Sequence, residues 1–243
     1  MLEIDGSFGE AGGQILRTAV ALSAITKIPI KVTNIRASRP EPGLKAQHLV
    51  GLKAAAELCN AELTGAELGS KEIIFKPGKI KGGSFRFDVG TAGSITLVLQ
   101  TLVPIAAFAP SKVKLKLIGG TNVAWSPPIE FFQNIFCDYA EKFGLLITSE
   151  IEKYGFYPKG GGLVKVEIYP IRNSNPIYLT SRGKFLDIKV WSVASLELMD
   201  AQVADRQIEG FEKALLITDA KIKGFTDYVK TDSPGSSIYA HAL

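Results

Sequence analysis

The side chains with the clearest chemical potential begin in a glycine-rich turn, "DGSFGEAGGQILR", at residues 5–17. The turn joins a short predicted strand to a predicted helix. Helix N-terminal amides carry a partial positive charge, so this arrangement is typical of phosphate binding. Glu10, in the middle of the turn, would repel a phosphate unless a divalent cation lay between them, as Mg²⁺ commonly does. Glu10 is therefore a candidate metal ligand, and its alternative role is to cap the helix dipole.

Gln14 and Arg17 favour the interpretation of this turn as an anion site. They lie three residues apart at the start of the predicted helix, so both can face the loop. An arginine above a helix N-terminus suits an anion. The glycine spacing, however, matches neither the dinucleotide-binding fingerprint nor the phosphate loop that ends in Gly-Lys-Ser/Thr. On the glycines alone, a tight strand-to-helix reversal is the simpler interpretation.

A second basic segment follows in "NIRASRPEPGLKAQHL". Arg36 and Arg39 lie in a predicted loop, and Gln47 and His48 lie in the next predicted helix. Cationic groups in a loop that is held by rigid elements can cradle phosphates or an RNA backbone. An exposed surface loop explains the arginines equally well. His48 has the chemistry of an acid, a base or a nucleophile, but a lone helical histidine is more often a hydrogen-bonded, half-buried residue.

The second part of the chain offers an amide and an aromatic cluster. Gln100 interrupts the apolar helix "ITLVLQTLVPIAAFA" on a face that we expect to be buried, so it needs a ligand or a backbone partner. In "GGTNVAWSPPIEFF", Trp125, Pro127 and Phe131 can form an apolar slot for a base, although core packing is the usual role of such residues. The spacing of His, Cys, Asp and Glu indicates no metal site made by protein alone.

An internal repeat organises the elements that must position these residues. One shift of the sequence along itself lays 9–12 over 90–93 and 75–77 over 156–158. Hydrophobic periodicity predicts the order strand, helix, strand, helix, strand, strand in each unit. Such βαβαββ units place both helices on one face of a mixed sheet, and two units can bury their helices against each other. The sequence therefore predicts an α+β fold with helices packed between mixed sheets.

The periodicity also sets the expected bounds. Asn60 and Gly144 are expected to end helices because both residue types tolerate the left-handed conformation. The first helix is expected to place Ile15, Ala19, Leu22 and Ile25 together on its apolar side. The first unit is expected at about 2–4, 12–26, 29–34, 44–59, 61–66 and 72–76, and the second at about 84–90, 93–108, 112–118, 127–143, 145–152 and 163–169.

Two domains are expected. Residues 1–175 hold the two repeats, and "YPIRNSNPIYL" is typical of a crossing between domains. Residues 176–243 are expected to form a second, smaller α/β domain that is incomplete at its end. Its elements are expected at about 185–193 (strand), 199–216 (helix), 219–229 (strand) and 236–241 (strand).

Composition sets limits on the function class. The chain has 243 residues, 46% hydrophobic content and a formal charge of +4, which many enzymes match. The two cysteines, Cys59 and Cys137, lie far apart, so neither a disulfide framework nor a cysteine zinc site is indicated. A reducing cytoplasm fits best. The most apolar stretch is too short to span a bilayer, so no membrane partner is expected.

Five segments together resemble the successive motifs of the RNA 3'-terminal phosphate cyclase family. They follow the family's order and spacing over residues 1–175, and the similarity continues less distinctly beyond. The resemblance implies repeated α+β units of the kind shared with enolpyruvylshikimate-phosphate synthases, plus a small inserted domain. The segments are "DGSFGEAGGQILR", "IRASRPEPGLKAQHL", "GTAGSITLVLQTLVP", "GGTNVAWSPP" and "GFYPKGGG".

The resemblance also implies a reaction and its residues. Family members use ATP and a divalent metal to adenylate an enzyme histidine, pass the AMP to an RNA 3'-phosphate, and let the 2'-hydroxyl displace AMP to form a 2',3'-cyclic phosphate. Contacts to nucleotide and metal, with Glu10 on Mg²⁺ or Mn²⁺, are implied for Glu10, Gln14, Arg17, Gln100, Pro127 and Phe131. Supporting contacts to the reacting phosphates are implied for Arg36, Arg39, Gln47 and His48.

One departure from the family limits this transfer. The family's nucleophilic histidine belongs to a C-terminal motif with an acidic partner, and nothing in residues 1–243 matches it. We therefore expect the nucleophile and the third repeat to be absent from this chain, and the chain alone to bind nucleotide poorly and not to adenylate itself. His241 lies in "SSIYAHAL", which resembles the inserted domain, so it is not assigned this role.

The implied partners are ATP and RNA 3' ends, and a homodimer is compatible with the sequence. Two alternatives stay open. The first is a non-catalytic RNA-binding or ribosome-assembly member of the same family. The second is another transferase of the related repeat fold, which the motif order disfavours.

Overall fold

The structure, a computed structural model, describes residues 1–181, 183, 185–215 and 221–242. Its first unit is a four-stranded sheet with two helices packed on it. The strand order is β1-β2-β4-β3, in which β1 and β2 are parallel and the other pairs antiparallel. The elements are β1 (Leu2–Asp5), α1 (Gln14–Thr26), β2 (Ile30–Thr33), α2 (Ala46–Cys59), β3 (Glu62–Thr64) and β4 (Ile73–Lys76).

The second unit repeats this arrangement. Its strand order, β5-β6-β8-β7, has the same pattern of one parallel and two antiparallel pairs. The predicted repeat is therefore confirmed. The elements are β5 (Gly83–Asp88), α3 (Ile95–Ala107), β6 (Val113–Gly119), α4 (Ile129–Phe131), a π-helical turn (Phe132–Phe136), α5 (Cys137–Phe143), β7 (Ile147–Lys153) and β8 (Gly162–Ile168).

Both repeats end their second helix in the predicted way. Asn60 has a φ of 50° after α2, and Gly144 has a φ of 102° after α5. The backbone N–H of each residue donates to carbonyls of the last helical turn, which satisfies groups that a helix end leaves open. Where a helix over 127–143 was predicted, the chain is helical from 129 to 143, and residues 132–136 within it form the π-helical turn.

The core lies between the two sheets, where α1, α2 and α3 pack against one another. The prediction of helices between mixed sheets is confirmed. The apolar side predicted for α1 is only partly buried, because Leu22 is 54% exposed. The buried stripe runs instead through Leu16, Val20 and Ala24, at four-residue spacing. The stripe is rotated because α1 must face α3 of the other repeat as well as its own sheet.

A third sheet follows the two repeats. Its strand order is β10-β9-β11, and α6 packs on one face through Ile208 against Ile188 and Val190. The predicted helix over 199–216 begins at Val203, because residues 196–198 form a separate 3-10 turn. Residues 216, 219 and 220 of the predicted elements lie outside the described residues. The elements are β9 (Asp187–Ser195), a 3-10 turn (Leu196–Leu198), α6 (Val203–Ala214), β10 (Lys221–Val229) and β11 (Ser236–Ala242).

Specific polar contacts join the third sheet to the second repeat. The Asn122 amide donates to Ser237 Oγ at 3.0 Å and to the buried carboxylate of Glu130 at 2.7 Å. The Lys153 ammonium lies 2.6 Å from Asp232. The domain boundary near residue 175 stays a prediction.

Both cysteines are buried free thiols at helix ends. Burial raises the pKa of Cys137 to about 12, so this side chain stays a neutral thiol at physiological pH. Within the described ranges, no helix is long and apolar enough to cross a membrane.

Candidate functional site

A cleft of about 1010 Å³ opens where the helices of the first repeat begin. Its walls come from the glycine-rich turn before α1, the loop after β2, the start of α2, and the loop before α4. The fold thus brings together seven of the polar residues that the sequence singles out, although they span 39 positions from 10 to 48. They are Glu10, Gln14, Arg17, Arg36, Arg39, Gln47 and His48.

Among the described residues, Arg39 is the arginine of the cleft whose side chain makes the fewest hydrogen bonds. Its nearest carboxylate is Glu10, with Nη2 lying 3.7 Å from Oε2. The Arg39 side chain is 45% exposed and the Glu10 side chain is 94% exposed, so solvent screens this pair and its contribution to stability is small. Because this ion pair is weak, Arg39 and Glu10 can each contact a ligand instead of the other at a small cost in free energy.

Arg36 shapes the loop in addition to facing the cleft. Its backbone has a φ of 56°, and its Nη1 donates to the carbonyl oxygens of Glu41 at 2.7 Å and Gly43 at 2.8 Å. Burial, together with the charge of Arg39, lowers the pKa of Arg36. A guanidinium has five N–H donors, so these bonds leave donors for an anion. The Arg36 side chain fixes the loop that presents Arg39.

Arg17 connects the two repeats. Its Nε donates to Gln100 Oε1 at 3.1 Å, across 83 positions of sequence. Burial lowers the pKa of Arg17. The expectation that Gln100 lies on a buried face is wrong, since Gln100 is exposed. The single amide in the apolar α3 marks the side that faces Arg17 and solvent. Gln14, predicted to accompany Arg17, donates its amide to Thr18 at 2.9 Å.

Gln47 also holds the repeats together. Its Oε1 accepts a hydrogen bond from the backbone N–H of Ser94 at 2.9 Å. Ser94 is the N-cap of α3, and its Oγ accepts from the N–H of Leu97. The amide oxygen of Gln47 is thus bonded to the start of α3, while Gln47 also lines the cleft.

His48 is buried at the back of the cleft. Its Nδ1 accepts a hydrogen bond from the backbone N–H of Lys45 at 3.3 Å, which caps the start of α2. Burial is the main cause that lowers the pKa of His48 to about 4, and the charges of Arg36, Arg17 and Lys45 add to it. His48 is therefore neutral at physiological pH, and its position matches the buried, hydrogen-bonded role rather than that of an exposed nucleophile.

This burial predicts a specific dependence of stability on pH. Unfolded His48 takes up a proton near pH 6.5 and folded His48 only near pH 4, so the unfolded state binds more protons in that window. The free energy of unfolding should fall by up to about 3 kcal/mol from this group as the pH drops from 7 to 4. His48→Asn keeps an acceptor for Lys45 and cannot titrate. Denaturant titrations at several pH values give the free energy of unfolding, which should depend less steeply on pH in the variant than in the wild type. An equal dependence on pH in both proteins would contradict this role of His48.

The predicted apolar slot forms, but with different members. Pro127 and Phe131 line a small pocket beside the cleft, together with Thr96, Gln100, Phe132 and Phe136. Thr96 Oγ1 donates to the Pro127 carbonyl at 2.8 Å and holds the loop against α3. The expectation that Trp125 shares this slot is wrong, because Trp125 lines the large cleft instead. Trp125 is fully exposed, whereas Pro127 is half-buried.

Phe8 is a cleft residue that sequence reasoning missed. It lies in the glycine-rich turn, lines the cleft and is 81% exposed. The available signal was a large apolar side chain inside an otherwise polar and glycine-rich turn, where no core position requires it.

Comparison with known proteins decides the family. The family model described as RNA 3'-terminal phosphate cyclase matches residues 8–228, and thus most of the chain. The chain belongs to the RNA 3'-terminal phosphate cyclase family. The resemblance found in the five motifs is confirmed, and the RNA 3'-terminal phosphate cyclase match extends through the small third sheet as far as β10.

Individual relatives carry the same name. An RNA 3'-terminal phosphate cyclase of Pyrococcus abyssi is 42% identical over 242 residues, which cover 100% of this chain and 70% of the relative. One from Archaeoglobus fulgidus is 43% identical over 238 residues, with coverage of 98% and 71%. One from Ignicoccus hospitalis is 47% identical over 215 residues, with coverage of 88% and 60%. The chain therefore spans about two thirds of the length of these relatives.

The cleft of this RNA 3'-terminal phosphate cyclase family member fits a cation that arrives with phosphates. Across the described part of the chain, no three His, Cys, Asp or Glu side chains are grouped to hold a metal ion. Glu10 is a single exposed carboxylate at the mouth of the cleft. Mg²⁺ is typically held by one or two carboxylates plus nucleotide phosphates and waters. Glu10 therefore suits a shared metal and not a cage made by protein alone.

Proposed function

We propose that this chain binds ATP, a divalent cation and the 3'-phosphorylated end of RNA, as part of an enzyme that converts an RNA 3'-terminal phosphate into a 2',3'-cyclic phosphate. The observation that carries the proposal is the convergence of Arg17, Arg36 and Arg39 with one carboxylate, Glu10, at the start of α1. Three guanidinium groups suit phosphates, and the carboxylate has a use there once a cation accompanies them.

The reaction explains why two phosphate-bearing partners must meet. A phosphate monoester offers no leaving group to the neighbouring 2'-hydroxyl. Transfer of AMP from ATP, by way of an adenylated histidine, forms a phosphoanhydride on the RNA 3'-phosphate and releases pyrophosphate. The 2'-oxygen then bonds to the RNA phosphorus, the bond to the AMP oxygen breaks, and the hydroxyl proton leaves to solvent or a base. Cations in the cleft offset the charge of the two approaching phosphates.

The chain's own residues divide this work. Pro127 and Phe131 would take the adenine, in the apolar pocket beside the cleft. Arg17, held by Gln100 at the border between pocket and cleft, would bind the nucleotide phosphates. Arg36 and Arg39, in the loop after β2, would hold the RNA phosphate. Glu10 would hold Mg²⁺ or Mn²⁺, which supplies charge neutralisation between the phosphates.

Neither histidine of the chain is proposed to carry AMP. His48 is buried, with Nδ1 bonded to the backbone, and displacing it would disrupt the start of α2. His241 lies on β11, where its ring contacts Trp191 and its Nδ1 lies 3.0 Å from the Tyr239 hydroxyl. These positions support roles in packing and hydrogen bonding.

Replacing Glu10 with glutamine tests the metal role. In the wild type, Mg²⁺ should tighten ATP binding, because Glu10 and the phosphates share the ion. In Glu10→Gln this Mg²⁺ effect should fall by about 10-fold, which corresponds to the loss of one charged ligand. Without Mg²⁺ the variant should bind ATP as well as the wild type or better, because a repelling carboxylate is gone. Isothermal titration calorimetry at several Mg²⁺ concentrations measures both effects.

The control is Glu57→Gln, which removes an exposed carboxylate from α2. It should leave both ATP affinities unchanged. If Glu10→Gln keeps the full Mg²⁺ effect and only lowers stability, Glu10 is a helix cap and the metal assignment is wrong. If the wild type binds 3'-phosphorylated RNA but never ATP, the non-catalytic RNA-binding alternative replaces the proposal.

A further inference from the structure

Two large aromatic side chains stand in solvent at the cleft. Trp125 is 100% exposed and Phe8 is 81% exposed, and both line the cleft that contains the arginines. They come from different segments, the turn before α1 and the loop before α4. Exposed aromatic groups that meet at a concave surface are typical of a binding site, since burial against a ligand is the main gain available to them.

The backbone around Trp125 is built to present the indole. Trp125 has a φ of 65°, in the left-handed region that bulky residues rarely adopt. The turn is held by a hydrogen bond from Ser126 Oγ to the Val123 carbonyl at 2.9 Å, and Thr96 holds the carbonyl of Pro127. Such a conformation persists only where its surroundings fix it, and it is concentrated at functional sites.

The chemistry of the cleft indicates what these rings contact. Three arginines select an anionic partner, and an aromatic face beside cationic groups is the pattern that binds single-stranded nucleic acid. The pocket of Pro127 and Phe131 shares no lining residue with the cleft. Adenine would therefore bind in the pocket, apart from Trp125 and Phe8. These two rings are then available to contact a second nucleobase.

We propose that Trp125 and Phe8 stack on the terminal bases of the RNA strand whose 3'-phosphate is held by Arg36 and Arg39. This inference rests on the proposed function and adds how the RNA end is selected. Stacking accepts any base, since every base has a π face. It also requires bases free of a partner strand, so the site selects single-stranded 3' ends over blunt duplex ends.

The test compares two RNA oligonucleotides that both end in a 3'-phosphate. One carries its terminal base, and the other has an abasic terminal nucleotide of equal charge. The wild type should bind the first about 10-fold more tightly. Trp125→Ala should reduce this ratio nearly to one, Phe8→Ala should reduce it in part, and Trp125→Phe should keep most of it. Affinity for ATP should be unchanged in all three variants.

The matched control is Phe108→Ala, which removes a 57% exposed aromatic ring from the far end of α3. It should behave as the wild type. Circular dichroism checks that the variants are folded. Wild-type tryptophan fluorescence gives an independent readout, because RNA should quench Trp125 and Trp125→Phe should lose this quenching while it keeps Trp191.

The outcomes separate the two proposals. If the wild type prefers the terminal base and Trp125→Ala prefers it equally, the aromatic site is wrong and the proposed function stands. If Trp125→Ala weakens ATP and not RNA, Trp125 belongs to the adenine site and the inference is wrong. If the wild type binds neither of the two 3'-phosphorylated oligonucleotides, the proposed function fails and this inference fails with it.

Discussion

Arg39→Ala is expected to weaken binding of 3'-phosphorylated RNA by about 10- to 100-fold. This range corresponds to a charge-assisted hydrogen bond to phosphate. Arg39 should show the larger effect of the two loop arginines on the ligand itself, because its ion-pair partner is the exposed Glu10 at 3.7 Å. Arg36 spends Nη1 on two backbone carbonyls, so its removal should also loosen the loop.

The salt dependence of RNA binding gives a second readout for Arg39. Each phosphate contact to a single strand contributes a slope of about 0.7 in a plot of log affinity against log salt concentration, so Arg39→Ala should lower the slope by roughly this amount. Arg39→Lys should recover part of the affinity, since it restores the charge without the planar fork. The control Arg86→Ala, on the exposed side of β5, should leave affinity almost unchanged. Equal losses for Arg86 and Arg39 would mean that binding is non-specific.

Gly13→Ala is expected to weaken ligand binding in the cleft, because the added methyl group displaces neighbouring side chains. A Cβ at Gly13 would overlap His48 Nε2 and would lie 2.8 Å from His48 Cδ2 and 3.0 Å from Arg17 Nη1. His48 is buried and bonded to the start of α2, so it cannot move aside freely. Overpacking of this kind typically costs about 1–3 kcal/mol of stability. RNA and ATP binding should fall by about 10-fold or more, because Arg17 and the α1 N-terminus shift together.

Gly12→Ala provides the matched comparison for Gly13. Its Cβ would lie 3.1 Å from Arg39 Nη2, at the end of a flexible and exposed side chain that can move away. Calorimetric binding and denaturant unfolding should therefore show a much smaller effect. Combining Gly13→Ala with His48→Ala should recover part of the lost stability, because the overlap disappears. A Gly13→Ala protein that binds and unfolds as the wild type would contradict the observed packing.

The sequence predicted the architecture well because its signals were local and repeated. Residues such as Asn60 and Gly144 end helices through their own backbone preferences, and the second repeat shows the same signal as the first. Alternating apolar residues placed every strand of the two sheets, although several bounds shift by one or two residues. The repeat also predicted that helices meet between the sheets, since neither unit can cover its own apolar face.

The errors at the site and in the core concern which surfaces meet. Whether Leu22 or Leu16 is buried depends on the angle at which α1 meets α3, and no local pattern contains that angle. Gln100 was expected in the interior because its neighbours are apolar, yet its partner Arg17 lies 83 positions away. Trp125 was grouped with Pro127 by proximity in sequence. The two residues line different cavities in the structure.

The most direct test of the account is the affinity of the wild-type chain for one RNA oligonucleotide prepared with a 3'-phosphate and with a 3'-hydroxyl end. Equilibrium fluorescence titration in the presence of Mg²⁺ measures both. The account predicts that the 3'-phosphate end binds at least about 10-fold more tightly, because the arginines of the cleft engage the terminal phosphate itself. Equal affinities for the two ends would contradict the assignment of this cleft to RNA 3'-phosphates.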